Sequence, residues 1–255
     1  MITVCFNSQD TIRQTIKSVK EQAYHDIEYI IIDGGSHDRT LDIVREYPDV
    51  VSKYISERDR GIYDAMNKGV SAASGDIVGI LNSDDFFATP NSINEIVEAF
   101  GADPGIEAVY GDVMYVKPLA PEVVTRLYSG LIFRPSLIRF GLMLPHPTFY
   151  VKAPALKQLG PYRINYRVAA DFELITRFFI RGYRANYIRS VLVKMREGGI
   201  SSRGLLWRIH QNFEIVQACR ENGLYTNIIF VALKLPYKLW TLVRGQLGMV
   251  KSNLS

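Results

Sequence analysis

The run Ile77-Val78-Gly79-Ile80-Leu81 is apolar but for one glycine, and it stops on Asn82-Ser83-Asp84-Asp85. Such a run reads as a buried strand, and its end constrains the fold. In an open α/β sheet, ligands gather at the carboxyl ends of the strands. Two adjacent carboxylates there repel one another unless a cation, a basic group or water compensates. Their oxygens suit a hard divalent ion shared with the phosphates of a substrate. A solvated turn, or the N-cap of a short helix, is the alternative.

The preceding chain repeats the pattern. Ile2 to Phe6 is a short apolar run ending at Asn7-Ser8. Glu28 to Asp33 is a second, ending on the permissive turn Gly34-Gly35-Ser36. Val50 to Ser56 makes a third strand. Between them, Ile12, Ile16 and Val19, then Leu41, Ile43 and Val44, then Ile62, Met66, Val70 and Ala73 fall at helical spacing. Thr89-Pro90 reads as a cap and first-turn proline for a helix carrying Ile93, Ile96, Val97 and Phe100. Ile106 to Gly111 is another strand, followed by Asp112. This β-α-β-α alternation predicts a mostly parallel sheet with helices on both faces. Strands ending at Asn7, Asp33 and Asn82-Ser83-Asp84 would bring polar groups to one rim.

From Lys117 to Gly160 the pattern loosens around six prolines, which fits a strand pair and a mobile loop. Pro145-His146-Pro147 reads as a rigid, extended element; His146 faces either a substrate or the backbone. Asp171 stands where Val168-Ala169-Ala170 gives way to a helix with Phe172, Ile175 and Phe179, the place of an N-cap. Asn186 to Met195 is β-rich, and Gly198 to Ser202 reads as a flexible loop. Leu205 to Arg220 is an amphipathic helix. Tyr225 to Val250 is apolar and basic, with Pro236 as a kink. That tail fits a membrane surface, the domain itself or a second subunit in a homodimer.

Composition narrows the classes. The chain has 255 residues, 47% hydrophobic and 22% charged, enough for one α/β domain with an extension. A net charge of +4 suits an anionic substrate or membrane surface and is too weak to argue for nucleic acid. Cys5 and Cys219 have no metal or redox spacing, and the four histidines have no zinc spacing. Met1 runs almost directly into a strand, so no secretory leader is expected.

Four segments in order resemble the GT-A fold, inverting glycosyltransferases of family 2. They are Val4-Cys5-Phe6-Asn7, then Ile32-Asp33-Gly34-Gly35-Ser36-His37-Asp38-Arg39-Thr40. Gly61-Ile62-Tyr63-Asp64-Ala65-Met66-Asn67-Lys68-Gly69 and Gly75-Asp76-Ile77 through Asp85 follow. The similarity covers roughly residues 1–205 and looks closest to bacterial enzymes that build polysaccharides or lipid-linked glycans. It implies a GT-A domain over 1–204, with a nucleotide-sugar-binding half (1–115) and an acceptor half (116–204), then C-terminal amphipathic helices over 205–255.

The resemblance also implies roles. The family's metal motif falls on Asn82-Ser83-Asp84, with asparagine in place of the usual first aspartate and Asp84 as the ligand of Mn²⁺ or Mg²⁺. The family often has two acidic residues where this chain has Asp33-Gly34, and Asp33 is thereby placed at the nucleobase, with Phe6 and Asn7 beside the nucleoside. Arg60, Asn67 and Lys68 are placed toward the donor diphosphate; for Arg60 and Lys68, solvated surface charge is the alternative. Asp171 matches the catalytic base, which takes the proton of an acceptor hydroxyl as it displaces the nucleotide with inversion. His146 is placed with the acceptor. The donor is a nucleotide sugar, the acceptor a glycan or lipid-linked hydroxyl. The location is cytoplasmic, at the membrane's cytoplasmic face if the tail binds lipid. A nucleotidyltransferase is the rival enzyme class, but Asn7-Ser8-Gln9-Asp10 lacks the basic, glycine-rich phosphate loop such enzymes carry after the first strand. A non-catalytic protein of the same fold would be expected to have lost Asp84 or Asp171.

Overall fold

The computed structural model describes residues 1–198 and 204–234, with side chains for all but 204–206. All but Gly198 of the expected loop at 198–202, and most of the tail after Tyr225, including Pro236, lie outside the described residues.

Strand β1 (Ile2–Cys5), β2 (Ile30–Asp33) and β3 (Lys53–Ser56) form a parallel sheet in that order. Helices α1 (Ile12–Lys20) and α2 (Thr40–Arg45) make the crossovers. Side chains alternate across a strand. Ile30 and Ile32 therefore pack with Tyr63 and Met66 of α3 (Ile62–Ala72), while Ile31 packs with Ile12, Ile16 and Ile43 on the other face. A central strand buried on both sides reads as the unbroken apolar run Ile30-Ile31-Ile32.

The run 77–81 joins two sheets. Its first residues form β4 (Ile77–Val78), antiparallel to β8 (Tyr150–Lys152). Its last residues turn to β1: Ile2 donates to the Gly79 carbonyl at 3.0 Å, and Leu81 donates to the Ile2 carbonyl at 2.9 Å. A Cβ on Gly79 would collide with the Tyr150 ring, so glycine permits the handover. The second sheet runs β4-β8-β6-β9-β5, with β5 (Phe86–Phe87), β6 (Ala108–Lys117) and β9 (Ala185–Arg196); β7 (Ala120–Tyr128) also pairs with β6. Within it only β6 and β9 pair in parallel. The first sheet is thus wholly parallel and the second is mixed.

Helix α4 (Ser92–Ala102) starts two residues beyond the expected position, after Asn91. Helices α5 (Ala153–Leu159), α6 (Ala170–Ile180) and α7 (Gly204–Glu221) share a core with α3; α8 (Ile228–Ala232) follows. The strand pair expected in the proline-rich region is β6–β7. Pro145-His146-Pro147 is not extended: His146–Thr148 is a tight 3₁₀ turn, closed by Phe149 N–H donating to the His146 carbonyl at 2.9 Å. Among the described residues, no helix is long and apolar enough to cross a membrane.

Candidate active site

The ends of β1, β2 and the 77–81 run are fastened together at one rim. Asn7 sits at φ 48°, a left-handed conformation that asparagine tolerates better than most residues. Its backbone N–H donates to Ser36 Oγ at 2.8 Å, and its Oδ1 accepts from His37 N–H at 2.9 Å. Ser8 Oγ and Ser83 Oγ lie 2.8 Å apart, and Thr15 Oγ1 donates to the Ser83 carbonyl at 3.0 Å. The sequence-predicted Asn7 and Ser83 are therefore brought to one place.

Asp33 is fully buried. Its Oδ2 accepts from Gly35 N–H at 3.1 Å, Ser36 N–H at 3.0 Å and Ser56 Oγ at 2.7 Å, and its Oδ1 accepts from Ser36 Oγ at 2.5 Å. The turn through Gly34-Gly35 folds its N–H groups back onto the carboxylate. A carboxylate so engaged organises the rim from beneath. Phe6, by contrast, stands out from the rim with 57% exposure.

The acidic pair lies in the link from the 77–81 run to β5. Asp85 is 1% exposed. Its Oδ2 accepts from Asn82 Nδ2 at 3.1 Å, whereas Asp85 Oδ1 and Asn82 Oδ1 are buried without hydrogen-bond partners. Burial raises the pKa of both carboxyls, and for Asp85 the neighbouring Asp84 charge adds to it. Arg196, at the end of β9, supplies the nearest compensation. It is 8% exposed, donates to the Asp84 carbonyl and to Gln14 Oε1, and its guanidinium lies 5.1 Å from the centre of the Phe86 ring. Sequence reasoning missed Arg196; its one signal was a cation closing an otherwise β-rich run.

Orphaned buried oxygens beside a carboxylate pair fit a hard cation, which takes oxygen ligands and completes its shell from substrate phosphates and water. No cluster of three or more His, Cys, Asp or Glu suited to a metal occurs among the described residues.

Helix α3 uses most of its polar groups internally. Arg60 pairs with Asp64 at 2.9 Å but is largely exposed. Lys68 Nζ lies 2.9 Å from Glu57 Oε1 and donates to the Arg58 carbonyl at 2.9 Å. Asn67 makes a reciprocal pair with the Tyr162 backbone, accepting from its N–H and donating to its carbonyl, each at 2.8 Å. That pair ties α3 to the chain after α5.

Asp171 is the second residue of α6, in its first turn rather than at its cap, which is Ala169. Its Oδ1 accepts from Phe172 N–H at 2.8 Å and lies 3.4 Å from Tyr63 Oη, whose proton goes to the Val168 carbonyl at 2.7 Å. Burial raises the Tyr63 pKa well above its ordinary value, and the Asp171 charge adds to it. The start of α6 is held from α7: Glu214 accepts from the N–H groups of Arg167, Val168 and Ala169 at 2.8, 2.9 and 2.9 Å. His146 is buried, with Nε2 3.1 Å from Tyr162 Oη. The ring packs edge-on against that tyrosine, and burial lowers the His146 pKa against the opposing Asp171 charge.

Comparison with known proteins agrees with this architecture. The family described as Glycosyl transferase family 2 matches residues 1–128. An uncharacterized glycosyltransferase of Mycobacterium tuberculosis is 31% identical over 185 residues, 69% of this chain and 67% of the relative. A PGL/p-HBAD biosynthesis glycosyltransferase of the same organism is 30% identical over 192 residues, 73% of this chain and 72% of that one. Among solved structures, a mannosyltransferase from Pyrobaculum calidifontis in complex with GDP-Man and Mn²⁺ aligns with a TM-score of 0.63 at 24% identity, over 86% of this chain and 62% of that one. Glucosyl-3-phosphoglycerate synthase from M. tuberculosis, in complex with Mn²⁺, UDP and phosphoglyceric acid, aligns with a TM-score of 0.60 at 19% identity, over 89% and 78%. This chain spans less than two thirds of the mannosyltransferase. These likenesses define a GT-A glycosyltransferase fold with C-terminal helices. The chain belongs to glycosyl transferase family 2 and is a glycosyltransferase.

Proposed function

We propose that this protein transfers a sugar, with inversion, from a nucleotide-diphosphate sugar to a hydroxyl of a glycan or lipid-linked acceptor. The observation that carries the reading is the acidic turn of half-buried Asp84 and buried Asp85, with the unpartnered Asn82 Oδ1 and Asp85 Oδ1, at a rim fastened to the end of β1. Asp84 would hold a Mn²⁺ or Mg²⁺ ion; when bound, that ion offsets the charge developing on the leaving diphosphate. The neighbours solved with Mn²⁺ and with nucleotides support the same donor class.

The remaining chemistry falls to the chain. The acceptor oxygen forms its bond to the anomeric carbon while the bond from that carbon to the diphosphate oxygen breaks, and the bonding pair leaves with the diphosphate. The hydroxyl proton passes to a carboxylate oxygen of Asp171. Attack and departure occur on opposite faces, so one displacement inverts the centre. Tyr63 and Glu214 set the position of Asp171 and the start of its helix. Arg196 steadies the acidic turn through the Asp84 carbonyl.

The test is thermal stability of the full chain against UDP-, GDP- and dTDP-sugars with Mn²⁺, Mg²⁺ or EDTA. A ligand that binds only the folded state raises the midpoint by mass action. The expected result is a metal-dependent rise with one nucleotide class, absent in Asp84→Ala. No rise with any donor would overturn the donor site.

A further inference from the structure

Asp33 is engaged by its own turn and by Ser56 of β3, yet a second carboxylate lies against that turn. A Cβ built on Gly34 would collide with Asp59 Oδ2, and would stand 3.2 Å from Asp59 Cγ and 3.5 Å from Phe6 Cδ2. Asp59, from the loop that follows β3, thus fills the space that a side chain at position 34 would take, beside the Phe6 ring. Its Oδ1 accepts from Gly61 N–H at 2.8 Å. Its Oδ2 has no hydrogen-bond partner among the described residues.

Phe6 is itself unusual. The residue before it, Cys5, is buried, but Phe6 holds its ring 57% exposed at the carboxyl end of β1. An exposed aromatic face next to a free carboxylate oxygen is a site for a flat ring with a polar edge. The face takes the ring by stacking. A carboxylate is an acceptor only, so the ring's edge must bring the hydrogen.

We propose that Asp59, rather than Asp33, reads the nucleobase of the donor. Phe6 carries the face of the base and Asp59 Oδ2 accepts a hydrogen bond from a ring N–H. Uracil and thymine at N3 and guanine at N1 provide that hydrogen. Cytosine and adenine present bare acceptor nitrogens at the corresponding edge. The site therefore selects a uridine, thymidine or guanosine diphosphate donor. Position 34 is glycine because any side chain there would displace the reading carboxylate. This assignment rests on the donor-site reading above.

The test is calorimetric titration of the full chain, in Mn²⁺, with UDP, dTDP, GDP, CDP and ADP. The tightest of these is then compared with its analogue methylated at the ring nitrogen. Wild type is expected to bind the methylated analogue at least about tenfold more weakly, the worth of one lost charge-assisted hydrogen bond. Asp59→Asn keeps an oxygen for Gly61 N–H but turns a donor toward the base. It is expected to lose about tenfold for the parent nucleotide and to bind parent and methylated forms within about twofold of each other. Asp59→Ser serves as a second variant if the first unfolds more readily than wild type. A variant that keeps the wild-type ratio of parent to methylated analogue overturns the proposal, whatever its absolute affinity, because Asp59 is then structural. Wild-type preference for CDP or ADP overturns it as well. Failure of wild type to bind any nucleotide overturns the donor-site reading instead, and the assignment falls with it.

Discussion

Glu214 and Ala169 are joined by a 2.9 Å hydrogen bond between a buried carboxylate on α7 and the backbone N–H at the start of α6. With Arg167 and Val168 on the same carboxylate, one side chain satisfies three donors from a neighbouring element. A carboxylate at a helix N-terminus also meets the positive end of its dipole. Helix α7 therefore holds the start of the helix that carries Asp171, from beyond the residues matched by the family.

Glu214→Ala should leave those N–H groups without acceptors in a buried place. Each stranded donor costs about 1–3 kcal/mol, and they share one site, so the expected loss is at least about 2 kcal/mol. Urea unfolding should show a lower midpoint with an unchanged slope. A loss below about 0.5 kcal/mol would mean water replaces the carboxylate readily.

Asn67→Ala separates a structural asparagine from a donor-binding one. It removes the two 2.8 Å bonds to Tyr162. Stability should fall by about 1–3 kcal/mol, with nucleotide affinity within about twofold of wild type. A tenfold weaker nucleotide Kd at unchanged stability would place Asn67 at the donor site.

How far the sequence reveals this site depends on the range of the interactions. Strand ends and helix faces are written in local periodicity, so the rim at Asn7, Asp33 and Asn82-Ser83-Asp84 and the helix after Asp171 are legible. What Asp33 touches is not, because its acceptor capacity is filled by Gly35, Ser36 and Ser56, the last from another strand. Arg196 reaches the acidic turn across 112 residues, and Glu214 reaches Val168 across 46; no spacing rule encodes either. The 3₁₀ turn at His146 escaped because proline favours extended neighbours, and here the Phe149-to-His146 bond overrides that preference.

His146 gives a pH signature. Burial lowers its folded pKa below the ordinary value of about 6.5, so the native state binds fewer protons than the unfolded chain as pH falls through that value. Stability from this group is present above about pH 6.5 and is lost as pH drops toward the lowered folded value. The groups facing the ring are Tyr162, at 3.1 Å, and the Asp171 charge, which opposes the shift. His146→Gln cannot titrate, so the wild-type minus variant stability should shrink between about pH 7 and 5. A constant difference across that range would show that His146 keeps its ordinary value in the fold.

Tyr63 Oη and Asp171 Oδ1 lie 3.4 Å apart. Burial keeps the Tyr63 phenol protonated, and its hydrogen is directed to the Val168 carbonyl. In the proposed mechanism Tyr63 therefore positions and Asp171 accepts. Asp171→Asn should lower kcat by about 10²–10⁴-fold while the donor Kd changes little, since a general base acts in the transition state. Tyr63→Phe keeps the ring stacked on Tyr162 but drops the tether, and its loss in kcat should stay within about tenfold. Steady-state kinetics on both variants, with donor affinity measured in parallel, separates the roles. Near wild-type turnover in Asp171→Asn would remove Asp171 as the base, and a loss in Tyr63→Phe as large as that in Asp171→Asn would make the pair act as one unit.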